Sequence, residues 1–586
     1  MRFLLLLGSL CLLGATVYLA GIFWFSSYED LARLGAVPYH EYVPDGPSYL
    51  QLALTPSRYA AFRTGLGILL AGSLISSALL ILQPAYRSEF KGLGQEARQA
   101  LGALRGTAHQ LSRTEVVVSG GLLLAILLAR LCWLFLDPMS PDEITSYDAF
   151  VHQGAAAVTS FYPIPNNHVF YNFLCWIAAQ ALPNHVLLIV RLPSLLVATV
   201  GTAISYGLLT WFLNFRVATV VTALFGLTPL TVLYAASGRG YFMQMVCIEL
   251  AFFAAVGTVT KPNFQRLGWA VFVLSSIIGL YTIPTYAAPL VALAVLLLAA
   301  SLQLPAQARA GYYAHMLGAG AIIMVTAGVL YMPVGTVSGW ERLLTNRYLA
   351  SHSFASFWAL SRAHLYETAA MLLGPVRPGL VCSAAVLVLT PLVLVRQHSQ
   401  TRGQWLAWGA WLMVVTPLVL TIAQRMFFPG RTLMYTTYFL FVLAALGAHH
   451  LATKWPRHWP GKVPLALLLA LVAWRVTELA GSWSTLRRSR EQNALVSHAY
   501  QWLQTQPRGP ILLGGSYHSL MFHHFGLTDG NPLPLRFKSE PGGRYRYLLV
   551  PQGTLILPSW AAALPYHLAY QDALIQIYKL DTPQRN

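Results

Sequence analysis

Charge is what this sequence has least of. Only 10% of its 586 residues are Asp, Glu, Lys or Arg, while 56% are hydrophobic. A soluble globular chain carries about 25% charged residues. That class is excluded, and the mean hydropathy of +0.55 belongs to an integral membrane protein. Acidic residues are the scarcest, 20 against 38 Lys and Arg, which leaves a net charge of +18. In a polytopic membrane protein such an excess orients the chain and meets anionic lipid. No basic stripe carries interleaved aromatics, so nucleic acid is not expected as a partner. The five cysteines, Cys11, Cys132, Cys175, Cys247 and Cys382, form no CxxC. They read as small buried hydrophobes, not as metal ligands or disulfides. Solenoid repeats, low-complexity linkers, G-x-G-x-x-G and a P-loop lysine are also missing.

What the sequence does have is long apolar runs. A span needs about 17–25 residues, and by that criterion roughly 13 windows qualify. They are 2–25, 61–83, 116–136, 188–212, 216–236, 243–260, 267–283, 286–302, 314–332, 379–396, 404–422, 432–450 and 463–480. Met1 to Phe25 is longer than a signal-peptide core and lacks a clear cleavage site, so it reads as the first span. The basic loop 84–115, with Arg87, Lys91, Arg98, Arg105 and Arg113, is expected on the cytoplasmic side. The N-terminus then lies inside and the C-terminus outside. The segment 168–182 is short for a span and is expected to lie in the membrane interface.

Composition divides the chain into three parts. Residues 1–115 hold two accessory spans and the cytoplasmic loop. Residues 116–482 form the main membrane module, with external loops 137–187 and 333–378. Residues 483–586 read as helix, strand, glycine turn, helix and further strands, a small external α/β domain. The expected fold is therefore an all-α polytopic membrane protein with a small C-terminal α/β domain.

Polar residues gather on the expected external face. "SPDEITSYD" (140–148) places Asp142, Glu143 and Asp148 just after the third span. It is also a helix start, with Ser at the N-cap, Pro at N1 and acids at N2 and N3. "YPIPNNH" (162–168) brings Asn166, Asn167 and His168, residues that equally turn a chain and cap a helix. "ASGRGYFMQ" (236–244) sets Arg239 between glycines, before Tyr241, and "QRMFFPGRT" (424–432) brings Arg425 and Arg431. Each arginine also reads as a membrane anchor. Ionisable groups in a bilayer cost about 2.5–3.5 kcal/mol each on insertion scales, so a cluster of them marks a site. In the 333–378 loop, Trp340, Arg342, Arg347, Tyr348, His352, Arg362 and His364 read as an ordered cap or a lid.

The order is Asp-Glu after a span, "PNNH" before an amphipathic helix, "RLPS" (191–194) opening a span, "GRGY" between spans and a P-x-R turn at Pro429 and Arg431. It resembles the GT-C membrane glycosyltransferases. Within that superfamily it looks like the bacterial family that resembles protein O-mannosyltransferases and the lipid A aminoarabinose transferase. The resemblance covers roughly residues 110–450 and leaves out the first two spans and the C-terminal domain.

The resemblance implies transfer of a hexosyl or pentosyl group from a polyprenyl-phosphate sugar to an acceptor hydroxyl on the external face of a bacterial inner membrane. The acceptor would be a glycan, a lipid or a protein, and the enzyme a monomer. It assigns the catalytic role to Asp142, with Glu143 beside it, and phosphate contacts to Arg239 and Arg431. Asn166, Asn167, His168, Tyr241 and Arg425 join these as substrate-binding candidates. A polyprenyl phosphate leaves as a stable anion, so one carboxylate base suffices and displacement inverts the anomeric carbon. The metal-dependent oligosaccharyltransferases of this superfamily carry a second acidic motif in the loop matching 236–244. This chain has Arg239 there and no carboxylate, so no cofactor is expected and a divalent metal is not favoured. The competing expectation is a transporter or flippase of lipid-linked sugars, which calls for inverted repeats.

Overall fold

A computed structural model describes residues 1–37, 51–344, 351–374, 376–395, 402–454, 463–513, 517–536, 544–553 and 566–580. Arg347 and Tyr348 of the expected lid lie outside these residues. All thirteen apolar windows fall on helices. Among the described residues, ten helices are long and apolar enough to cross a membrane, or eleven if one bent pair counts as a span. The bent pair is Phe215–Gly226 and Pro229–Ala236, which meet at 72°. Asn214 caps the first half through a hydrogen bond from the Val217 amide, and Pro229 opens the second. Proline at the first turn starts a new helix because its missing N–H would be unpaired there anyway. Segment 168–182 forms the helix Val169–Ala181, which has 13 residues and is too short to cross.

The bundle packs around the helix Tyr241–Thr260, whose span-length window is 78% buried. The first helix, Arg2–Phe23, is laced to Pro56–Leu82 by hydroxyls. Ser9 Oγ meets Ser77 Oγ at 2.8 Å, and Thr16 Oγ1 meets Ser73 Oγ at 2.9 Å. Its residues Phe3, Leu4 and Leu7 belong to the main apolar core. The basic 84–115 segment is mostly helix, Pro84–His109, and docks through Glu89 and Glu96 onto Arg266. Of the cysteines, Cys11, Cys175 and Cys247 are buried, but Cys132 and Cys382 are exposed on outer faces of the bundle, where lipid suits a thiol as well as a core does.

The C-terminal part follows the expected order. The helix Trp483–Thr505 leads to β1 (Ile511–Leu513), the helix Tyr517–Thr528, β2 (Leu535–Arg536), β3 (Tyr547–Pro551), β4 (Tyr566–Gln571) and β5 (Ile575–Leu580). The sheet order is β2-β1-β3-β5-β4. β1 runs parallel to β2 and β3, while β5 is antiparallel to β3 and β4. β3 is buried from Tyr547 to Val550, as a central strand covered on both faces should be.

Candidate active site

Turns between the helices meet at one end of the bundle around a cavity of about 810 Å³. The turn after Leu136 brings the helix Pro141–Ser146. Its first turn closes a capping box, with the Glu143 amide donating to Ser140 Oγ at 3.3 Å and the Ser140 amide donating to Glu143 Oε2 at 2.8 Å. Adjacent helical residues point about 100° apart, as 3.6 residues per turn requires. Asp142 and Glu143 therefore serve different surroundings.

Glu143 faces inward and is sealed. Its carboxylate accepts from Arg191 Nε at 2.7 Å, Arg191 Nη2 at 2.8 Å and the Gly238 amide at 2.6 Å. Burial raises its pKa, but Arg191 and the two amides outweigh that and hold the carboxyl below the usual range. Arg191 spends its remaining donors on the carbonyls of Leu134, Asp137 and Pro138. The Arg of "RLPS" thus ties the end of one span to the site loop. Glu143 does not line the cavity; it holds the loop through Arg191 and the Gly238 amide.

Asp142 faces the cavity and is 37% exposed. Its Oδ2 lies 3.8 Å from Arg239 Nη2 and 3.6 Å from Arg431 Nη1. These distances give charge attraction without a formed hydrogen bond. Arg431 is 41% exposed and lines the cavity, in the short turn Gly430–Leu433. Tyr241 lies between the two guanidinium groups, whose carbons are 5.6 Å (Arg239) and 5.7 Å (Arg431) from its ring centre.

Arg239 is buried, and its Nη1 reaches the Asp142 carbonyl at 3.2 Å, Ser146 Oγ at 3.0 Å and the Asn166 carbonyl at 3.3 Å. It binds the site's own loops together and is not among the cavity-lining residues. His168 lines the cavity. Its Nδ1 accepts from the Gly240 amide at 2.9 Å, and Nε2 sits 3.2 Å from Arg239 Nη2. Burial and the charges of Arg239 and Arg431 push its pKa well below the usual value, so the ring is neutral. Both neighbours are donors, so the neutral ring can accept at only one of its two nitrogens.

Asn166 lines the cavity. Asn167 Nδ2 donates to the carbonyls of Val158 and Phe161, both at 2.8 Å, and its Oδ1 accepts from Asn172 at 2.9 Å. This side chain holds the turn together, and Asn167 lines the cavity as well. Arg425 is exposed with φ of 51° and does not line the cavity, although Gln424 and Met426 on either side do.

Sequence reasoning missed Thr145, Thr285 and Gln424 as polar lining residues, and it placed His364 in a cap or lid. It also missed Asp148's partners. Asp148 is 3% exposed and receives His524 Nδ1 at 2.8 Å and His523 Nδ1 at 3.2 Å from the C-terminal domain. A paired "HH" in an apolar helix was the available signal. Ile283, Ala287, Ala288, Val291, Leu420 and Phe428 give the cavity a largely apolar stretch of wall, broken by Thr285 and Gln424.

No family model matches the chain, and no curated protein matches it. Solved structures do. ArnT from Cupriavidus metallidurans bound to undecaprenyl phosphate is 11% identical with a TM-score of 0.48, over 81% of this chain and 99% of that one. Its apo form gives 12% and 0.40, over 78% and 97%. An oligosaccharyltransferase of Archaeoglobus fulgidus, in complex with Zn and sulfate, gives 12% and 0.41, over 70% and 62%. Likeness at this level leaves the chemistry to be read from the site's own residues.

Proposed function

We propose that this chain transfers a sugar from a polyprenyl-phosphate donor to an acceptor hydroxyl at the external membrane face, with inversion. The observation that carries this reading is Asp142 set against Arg431 at the polar end of a cavity whose other wall is largely apolar. A polyprenyl-phosphate sugar has that same division, an anionic linkage with a sugar at one end and a hydrocarbon tail at the other. The tail fits along Ile283, Ala287, Ala288, Val291 and Leu420, and the phosphate meets Arg431.

In the reaction the Asp142 carboxylate accepts the acceptor's hydroxyl proton as that oxygen forms its bond to the anomeric carbon. The bond from that carbon to the phosphate oxygen breaks, and its electrons leave with the phosphate. Arg431 stabilises the charge left there. Arg239 steadies Asp142 and the Asn166 turn, which makes its part in phosphate binding indirect. Neutral His168, Asn166 and Thr145 present polar groups to the sugar.

The reaction is read as metal-independent because the donor set does not suit a divalent ion. Glu143 is consumed by Arg191, Asp148 by two histidines, and Asp142 already faces two guanidinium groups. The test is turnover of a panel of polyprenyl-phosphate sugars by the purified protein in detergent or lipid, with and without chelator. Transfer that persists in chelator and vanishes in Asp142→Asn is the expected result. Failure of every donor would reject the reading.

A further inference from the structure

The Asp142 carboxylate is held loosely, since neither guanidinium comes within hydrogen-bond distance of it. Its helix, by contrast, is gripped from behind by the C-terminal domain. Ile144 is fully buried and belongs to that domain's apolar core, with Tyr500, Leu520 and Phe522. One turn further on lies Asp148, in a π-helical turn closed by the His152 amide on the Tyr147 carbonyl at 2.8 Å. Its carboxylate takes one hydrogen bond on each oxygen, Oδ1 from His524 and Oδ2 from His523. Both histidines sit on the helix Tyr517–Thr528, and Leu520 of the same helix reaches the cavity. The His524 ring also packs edge-on against Tyr147, with centroids 6.1 Å apart.

We propose that His523 and His524 are positioning residues for the reaction, clasping Asp148 and so fixing the helix that aims Asp142 at the acceptor oxygen. The clasp rests on the reading of Asp142 as the base. Asp148 is buried and does not line the cavity, so it acts only through the helix. Spacing explains the arrangement. Ile144 and Asp148 are four residues apart and share one helical face, while Asp142 and Thr145, three apart, share the face toward the cavity. A carboxylate that must approach a hydroxyl within about 3 Å gains from a rigid helix, because a misplacement of about 1 Å can cost on the order of 100-fold in rate.

The test compares two double variants of the full chain. In His523→Ala/His524→Ala, kcat is expected to fall on the order of 100-fold, with the donor KM unchanged, because Arg431 and the apolar wall belong to the membrane module. In His523→Asn/His524→Asn, the side-chain amide places a donor near the position of imidazole Nδ1, and most of the rate is expected to return. Wild-type kcat in the alanine variant overturns the proposal, as does an equal loss in both variants or a loss appearing in donor KM. Amide hydrogen exchange across residues 142–151 gives a readout that needs no turnover. Faster exchange in the alanine variant and near-native exchange in the asparagine variant are expected, and unchanged exchange in the alanine variant overturns the clasp. Should no polyprenyl-phosphate sugar react, the proposed reaction fails while exchange still decides the clasp.

Discussion

Arg191 grips both oxygens of Glu143, Nε to Oε1 at 2.7 Å and Nη2 to Oε2 at 2.8 Å, with both side chains 1% exposed. This pair anchors the loop that carries Asp142 to the end of a span 48 residues away. Removing one member strands the other. Glu143→Gln leaves Arg191 buried without its counter-charge, a change that costs about 3–5 kcal/mol in buried pairs. Thermal unfolding in detergent should show a large loss of stability, with activity falling because the loop is lost.

Asp142→Asn should behave in the opposite way. Asp142 is partly exposed and makes only long charge contacts, so its contribution to folding is small. Loss of a general base costs about 100- to 10,000-fold in rate. The expected outcome is near-complete loss of transfer with an unchanged unfolding temperature. Normal turnover would remove Asp142 as the base.

The contrast between these neighbours explains how much of the site was legible. "PNNH", "GRGY" and the P-x-R turn gave the components, and the helix-start pattern of "SPDE" was correct for Glu143. Asp142, one residue earlier, lines the cavity instead. Sequence spacing does not say which of two adjacent carboxylates meets an arginine 48 positions on. Nor does it pair Asp148 with His523 and His524, more than 370 residues away. Arg425 and Arg431 were equivalent as residues in one turn, and only the fold shows that Arg431 lines the cavity while Arg425 does not. Helices were legible because hydrophobic length alone specifies a span. The break in the 216–236 window was less so, although Pro229 marked it.

Arg431 should report on the phosphate. Arg431→Ala is expected to lower kcat/KM for the donor by about 100- to 1,000-fold, the loss typical of removing one group that stabilises developing charge. Arg431→Lys keeps the charge but loses the planar fork, and an intermediate rate is expected. Initial rates at varied donor and acceptor concentrations separate the outcomes. An effect confined to acceptor KM would place the phosphate elsewhere.

Acid should loosen the C-terminal domain. Burial raises the Asp148 pKa, but hydrogen bonds from His523 and His524 and their charge outweigh it, leaving the carboxyl below its ordinary value. Tyr147, whose own pKa burial and then Asp148 raise, is a further titratable group beside it. A depressed carboxylate contributes its stability fully above its unfolded pKa of about 3.9 and loses it as pH falls through the folded value. Stability from this contact should hold from neutral pH down to about 4 and decline below that. Limited proteolysis of the C-terminal domain across pH measures it, and Asp148→Asn should flatten the acid limb of the profile.

Gly238 offers a test that touches no cavity-lining side chain. A Cβ there would stand 2.9 Å from both the carbonyl oxygen and the Cβ of Val190, closer than packed atoms allow. Backbone cannot yield as a flexible side chain does, so Gly238→Ala must move the turn. That turn supplies the amide that donates to Glu143 at 2.6 Å, and Arg239 follows it directly. Overpacking of this kind costs about 1–3 kcal/mol, and the displaced Arg239 should release Asp142 and the Asn166 turn together. Gly207 supplies the control, since an added Cβ there meets nothing within 4 Å and the residue lies inside the helix Val186–Phe212. Gly207→Ala should leave the protein as stable as before or up to about 1 kcal/mol more so, with transfer intact. If Gly238→Ala keeps both stability and rate, the Glu143–Gly238 link does not hold the site in register.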